Sequence, residues 1–204
     1  MGAEAHYLKI ALMELQKHFE NAEDIEKIII THALAASAAA VASGWIPGAG
    51  GAIATGIGVG FTVSMYYRIC SECNIPIGKN ILKALASIVI AEIAAILSVS
   101  LAAQITLSFI PGVGSLGAAT LSAIINFGLV YVAGVLFLKM MVNVFDAKGG
   151  IENLSEDELK DMMKSVSTKK NIKSVYHESK GVYKKTKNDT SYKTDDIKPD
   201  GDDD

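Results

Sequence analysis

Of the 19 basic and 22 acidic side chains in this chain, only six lie between Ile28 and Phe145: Arg68, Glu72, Lys79, Lys83, Glu92 and Lys139. The flanks hold the rest. A domain surrounded by water covers its surface with charge, and so sparse a supply leaves the middle of the chain either in lipid or hidden by a partner. The net charge of -3 conceals this division.

The uncharged runs are long. Ile28 to Tyr67 is a stretch of 40 residues without Lys, Arg, Asp or Glu, and Gly114 to Leu138 is another of 25. A bilayer-crossing helix needs about 20 apolar residues. Proline and glycine fold the first run in two at Ile46-Pro47-Gly48, and the same turn recurs 64 residues later as Ile110-Pro111-Gly112. Each turn joins two apolar helical patterns. The expectation is an all-α fold of two duplicated helical hairpins, four long helices in all, with Pro47, Gly48, Pro111 and Gly112 at the hairpin turns. The helices are expected from near Glu23 to the first turn, from Gly51 to Cys73, from the "NIPIGKN" turn to Phe109, and from Ser115 to Asp146.

Outside this middle the texture changes. Leu8, Leu12, Leu15 and Phe19 recur at helical spacing over residues 4–20, an amphipathic pattern that could lie on a membrane surface but, with more acids than bases, suits packing on the rest of the domain better. Ser155-x-x-Glu158 is a capping-box pattern and predicts a short helix from Glu156 to about Val166. Beyond Ser167 lysines, acids and polar residues alternate to a final "DGDDD", a composition expected to stay disordered because it buries too little apolar surface. The chain thus divides into an N-terminal amphipathic helix (1–22), a hairpin domain expected to be membrane-embedded (23–146), a short cytoplasmic helix (147–166) and a disordered charged tail (167–204).

The glycines of "GWIPGAGGAIATGIGVGF", residues 44–61, admit three readings. A phosphate loop needs G-x-x-x-x-G-K-[ST], and the nearest approach, "IPIGKN", has Asn80 where a hydroxyl is required. "GVGSLG" at 112–117 matches a dinucleotide fingerprint in letters alone, since a helical pattern precedes it and no acid follows from Thr120 to Leu138. A flexible linker would mix glycine with polar residues, whereas these alternate with Ile, Ala, Val and Phe. Packing remains. Gly56, Gly60 and Ser64 share one helix face, and small residues at that spacing let two helix backbones approach closely.

Chemistry-bearing constellations are scarce. Cys70-x-x-Cys73 lacks a second pair for zinc, and His6, His18, His32 and His177 are scattered. No Ser-His-Asp set or paired carboxylates stand out, so no enzymatic activity, cofactor or metal is expected. Nucleic acid is not among the expected partners. Glu92 falls within the fourth helix, where a lipid-exposed carboxylate would cost about 2.5–3.5 kcal/mol. It is expected to be a buried structural group, with His32 and Asn126 as partners across the bundle. Arg68, Lys79, Lys83, Lys139 and Lys148 all lie near the helix ends remote from the two turns. The positive-inside rule then puts both termini and "NIPIGKN" in the cytoplasm. Two other readings stay open: a pore-forming or membrane-permeabilising protein, and a soluble helical bundle whose apolar turns are buried in a homo-oligomer.

Three segments carry a family likeness: "HALAASAAAVASGWIPGAGG", "GFTVSMYYRICSECNIPIGKN" and "SFIPGVGSLGAATLSAIINFGLVYVAGVLF". The small-residue helix before Ile-Pro-Gly, the Met65-Tyr66-Tyr67-Arg68-Ile69 element, the second Ile-Pro-Gly-x-Gly and Tyr131-x-x-Gly134 together resemble the DUF697 family of bacterial helical domains. The likeness covers about residues 28 to 142. It implies an inner-membrane location and a GTPase-like protein partner, because members often sit beside or within GTPase-like proteins. This chain carries no GTPase motif and lacks the aspartate that many relatives have after the first Pro-Gly. The resemblance implies no catalytic residue. The combined expectation is a non-enzymatic inner-membrane scaffold or adaptor.

Overall fold

The computed structural model describes residues 6–19, 22–42, 50–108, 114–151, 154–194 and 196–199. Within these it describes the side chains outside 22–23, 50–55, 99–108 and 114–119. The four residues expected at the hairpin turns, Pro47, Gly48, Pro111 and Gly112, lie outside the described residues, as does the short segment Glu152–Asn153.

A helix that is apolar all the way round needs neighbours all the way round. That helix is α5, Gly114–Lys148, buried almost continuously from Asn126 to Val142. The rest of the fold is its packing. α2 (Ala22–Ala42), α3 (Gly50–Glu72) and α4 (Lys79–Ser108) all contact it, as do α1 (His6–Leu15), α6 (Glu156–Val166) and α7 (Lys169–Thr186). The described residues hold these seven helices and no strand. The all-α expectation is met.

Register follows from three close approaches. Gly134 of α5 has no side chain, and a Cβ there would stand 3.0 Å from Ile29 Cγ2 and 3.1 Å from Met65 Sδ, so α2, α3 and α5 converge at this level. Tyr66 locks the same level, stacking on Phe137 at 4.0 Å between ring centres and donating its hydroxyl to the Ala133 carbonyl at 3.0 Å. Further along, Gly58 faces Ile90 of α4 and Leu129 of α5, whose side chains would lie 3.5 to 3.8 Å from an added Cβ. These contacts fix α2 and α4 as running one way, with α3 and α5 running back. The C-terminal ends of α2 and α4 and the N-terminal ends of α3 and α5 therefore share one end of the bundle, here termed the apolar end. The opposite end is the base.

Helix termini at the base are closed by local chemistry. Asn74 adopts φ 53, the left-handed conformation that ends α3, and Ile75 N–H donates to the Cys70 carbonyl at 2.8 Å. The predicted capping box is present at Ser155: its hydroxyl accepts from Glu158 N–H at 3.3 Å, and its own N–H donates to Glu158 Oε2 at 2.9 Å. Hydrogen bonding to Ser155 holds the Glu158 carboxyl below its usual range.

The expectation of a disordered tail from Ser167 is corrected by α7. Thr168 caps it, accepting from Asn171 N–H at 3.2 Å, while Asn171 Nδ2 donates to the Val166 carbonyl at 2.8 Å and ties it to α6. Ile172, Val175, Tyr176, Ser179, Val182 and Thr186 are buried along one side. The lysines that suggested disorder occupy the other side, so a strongly charged composition coexists with one apolar stripe.

Candidate membrane interface

Among the described residues three helical stretches are long and apolar enough to cross a membrane: Asp24–Ala42, Lys79–Ser98 and Thr120–Lys148, with mean hydropathies of 1.5, 2.1 and 2.2. Burial inside the chain separates them. In the most apolar window 78% of the Thr120–Lys148 stretch is enclosed, against 39% of the Lys79–Ser98 stretch. α5 is thus mostly sheathed by its own chain, and α4 offers the more open surface.

The open face of α4 is not uniformly apolar. Lys83, Ser87, Ala91, Glu92, Ala95 and Ser98 are exposed along it. Glu92, expected to be buried against His32 and Asn126, faces outward instead. The reason is helical phase: Ile90 and Ile93 turn into the core, which leaves position 92 on the outer face. Beyond Glu92 no charged residue occurs in α4 up to Ser108, nor in α5 from Gly114 to Leu138.

The other two expected buried polar groups are buried. His32, fully enclosed, places Nδ1 2.7 Å from the Ile28 carbonyl and Nε2 3.4 Å from Ser64 Oγ. Nδ1 can donate and Nε2 can accept, so a neutral ring is satisfied between α2 and α3. Asn126 donates from Nδ2 to the Ser122 carbonyl at 3.0 Å, while its Oδ1 and the buried hydroxyl of Thr62 have no hydrogen-bond partner among the described residues.

The small-residue row divides along its length. Ser64 meets His32 of α2, Gly60 is half-buried, and Gly56 is exposed with nothing within 4 Å of an added Cβ. Gly56 therefore makes no packing contact with the described residues. Gly58 is, because two residues along a helix is about 200° of rotation and turns it toward Ile90 and Leu129. The tightest approach lies elsewhere, at Gly128, where a Cβ would overlap the Tyr176 ring, 2.8 Å from Cδ2, and press Ser179 Oγ at 3.2 Å. Sequence reading passed over Gly128. Its signal, a glycine among large apolar residues inside a helix, indicates a close neighbour but not which one.

Around Gly128 the structure assembles a site that sequence reading missed. α7 lies over α5 here: Tyr176 covers Gly128, Tyr183 meets the Phe127 ring at 5.1 Å, and Glu178 reaches Tyr131. Glu178 is 4% exposed. Its carboxylate accepts from Tyr131 Oη at 2.9 Å, Tyr7 N–H at 2.6 Å and Leu8 N–H at 3.3 Å. The last two donors are at the N-terminus of α1, where unpaired N–H groups and the helix dipole favour an anion. One acid from the C-terminal helix thus secures the first helix and the central one.

At the base, Cys70 and Cys73 are free and buried. Burial pushes their thiols up to about 12 and about 11, so neither is poised as a nucleophile. An open cleft of about 610 Å³ runs between α2, α3 and residues 191–197, lined by Asp24, Lys27, Arg68, Glu72, Lys193 and Asp196 among others. Acids and bases are balanced there, and exposed Tyr67 stands in its wall. Among the described residues no three His, Cys, Asp or Glu side chains come together in a group able to hold a metal ion. No protein-family model, curated protein or solved structure matches this chain.

Proposed function

We propose that this is a non-enzymatic membrane protein whose apolar end sits in lipid and whose base, with α1, α6 and α7, stays in the cytoplasm. The observation that carries the reading is the charge boundary on α4. Glu92 is the last charged residue before an uncharged helical stretch that returns along α5 as far as Leu138. The two Ile-Pro-Gly turns would then make α2–α3 and α4–α5 a repeated pair of inserted hairpins. Both termini belong to the cytoplasmic side, and the resemblance to DUF697 domains supports a bacterial inner membrane. The same resemblance supports an adaptor role toward a GTPase-like protein. The wall of the base cleft offers that partner Tyr67, 59% exposed, beside Arg68.

The test is carbonate extraction of membranes from cells making the protein. Retention in the pellet is the expected result, and quantitative release overturns the reading. The sheathing of α5 by its own chain favours one other reading, a soluble oligomer that hides the apolar ends between copies. A monodisperse, folded oligomer purified without detergent would establish it.

A further inference from the structure

We infer that α7 is a headgroup-binding strap: its lysine face contacts anionic lipid, and it limits the apolar end to entry from one side of the bilayer without crossing. This rests on the membrane reading above and adds a lipid class and a depth to it.

The first observation is the division of α7 itself. Lys169, Lys170, Lys173, Lys180, Lys184 and Lys185 are all exposed, and the one acid of the helix, Glu178, is turned inward and occupied. With its apolar stripe taken up by the bundle, α7 turns outward a face whose exposed charges are all basic, which attracts anionic headgroups. The second is direction. Tyr176 and Tyr183 are seven positions apart, about 10 Å along a helix, yet both meet α5 within Phe127–Gly128. α7 also touches α1 and α4. The stretch Tyr176–Tyr183, with exposed Lys180 in it, therefore forms a band at the height of Phe127–Tyr131.

The third observation is that this height coincides with the end of charge on α4. Gly58 joins Leu129 to Ile90, which places Phe127–Tyr131 beside the turn that carries exposed Glu92. Beyond the band α4 continues from Glu92 to Ser108, about 24 Å of helix, and α5 from Asn126 back to Gly114, about 18 Å. Hydrocarbon is about 30 Å thick, so both helices end inside it. A nucleic acid could also bind lysines, but here it would have to lie against the uncharged half of the bundle. Anionic headgroups, with hydrocarbon directly above them, match both surfaces at once.

The test compares the full chain with its Lys173→Glu/Lys180→Glu/Lys184→Glu variant, with circular dichroism confirming the fold. Each is floated with phosphatidylcholine vesicles and with vesicles containing one-third phosphatidylglycerol, at low and high salt. The expected result is stronger binding of the native chain to the anionic vesicles, weakened by salt, and a loss of about tenfold or more in the variant. If charge reversal disturbs folding, the Lys→Gln triple variant takes its place with the same expectation. Equal binding of native chain and variant overturns the proposal and leaves the membrane reading standing. So does a variant that loses binding to an oligonucleotide but not to anionic vesicles. If neither form floats with either vesicle, both readings fall. Depth is read separately with Ser108→Cys and a membrane-impermeant maleimide enclosed in the vesicles. No labelling above the native background is expected, and labelling from the lumen overturns one-sided insertion.

Discussion

Glu178 and Tyr131, 47 positions apart in sequence, are joined by a 2.9 Å hydrogen bond where three helices meet. The same carboxylate takes two backbone N–H groups of α1, so its removal strands three donors, two of them in buried residues. Glu178→Ala is expected to destabilise the fold by about 3 kcal/mol, and Tyr131→Phe by about 1 kcal/mol. Glu178→Gln should fall between, because the amide oxygen still accepts. Urea denaturation in mild detergent, followed by circular dichroism, measures all three.

Gly128 and Gly56 make a paired prediction. Gly128→Leu drives a side chain into Tyr176 and Ser179 and is expected to release α7, which then becomes susceptible to trypsin at its lysines. Gly56→Leu meets open space and leaves the proteolysis pattern unchanged. Cleavage of α7 at equal rates in both variants would contradict the packing described at Gly128.

The buried thiols predict an alkaline limb. Cys70 is held up to about 12 from an ordinary 9.0, so above pH 9 the unfolded chain gives up a proton that the folded chain keeps. The unfolded state then binds fewer protons, and stability falls as pH rises from about 9 toward 12. Cys70→Ala should flatten that decline. In the native chain both thiols should react with a maleimide at pH 7.5 far more slowly than after denaturation.

Glu92 provides a check on the outward face of α4. An exposed carboxylate without a structural role makes Glu92→Gln nearly neutral, within about 0.5 kcal/mol. A loss of several kcal/mol would return it to the interior.

The long helices could be read from sequence because uninterrupted apolar runs bounded by Pro-Gly leave little else to form, and the α6 cap was readable because its chemistry is confined to Ser155 and Glu158. α7 was missed for a physical reason. Averaged over its length, the lysines outweigh the apolar residues, and only the phase of Ile172, Val175, Tyr176 and Val182 reveals a stripe. That phase was available in the sequence. The opposite faces of Gly56 and Gly58 were not, since which glycine is covered depends on a neighbour that arrives from a distant part of the chain. Glu92 is similar: its burial hinged on rotation about the α4 axis, which the pattern of that segment, apolar on most sides, leaves loosely specified. Glu178 gave no warning, because an acid among lysines reads as surface.

The seat of α1 is completed by Glu178, 171 positions beyond Tyr7. During synthesis the first helix must wait, its N-terminal amides and the Tyr131 hydroxyl unanswered, until α7 has emerged. Docking of α1 is therefore a late event, and a message truncated anywhere before Glu178 yields a product whose first helix lacks this fastening.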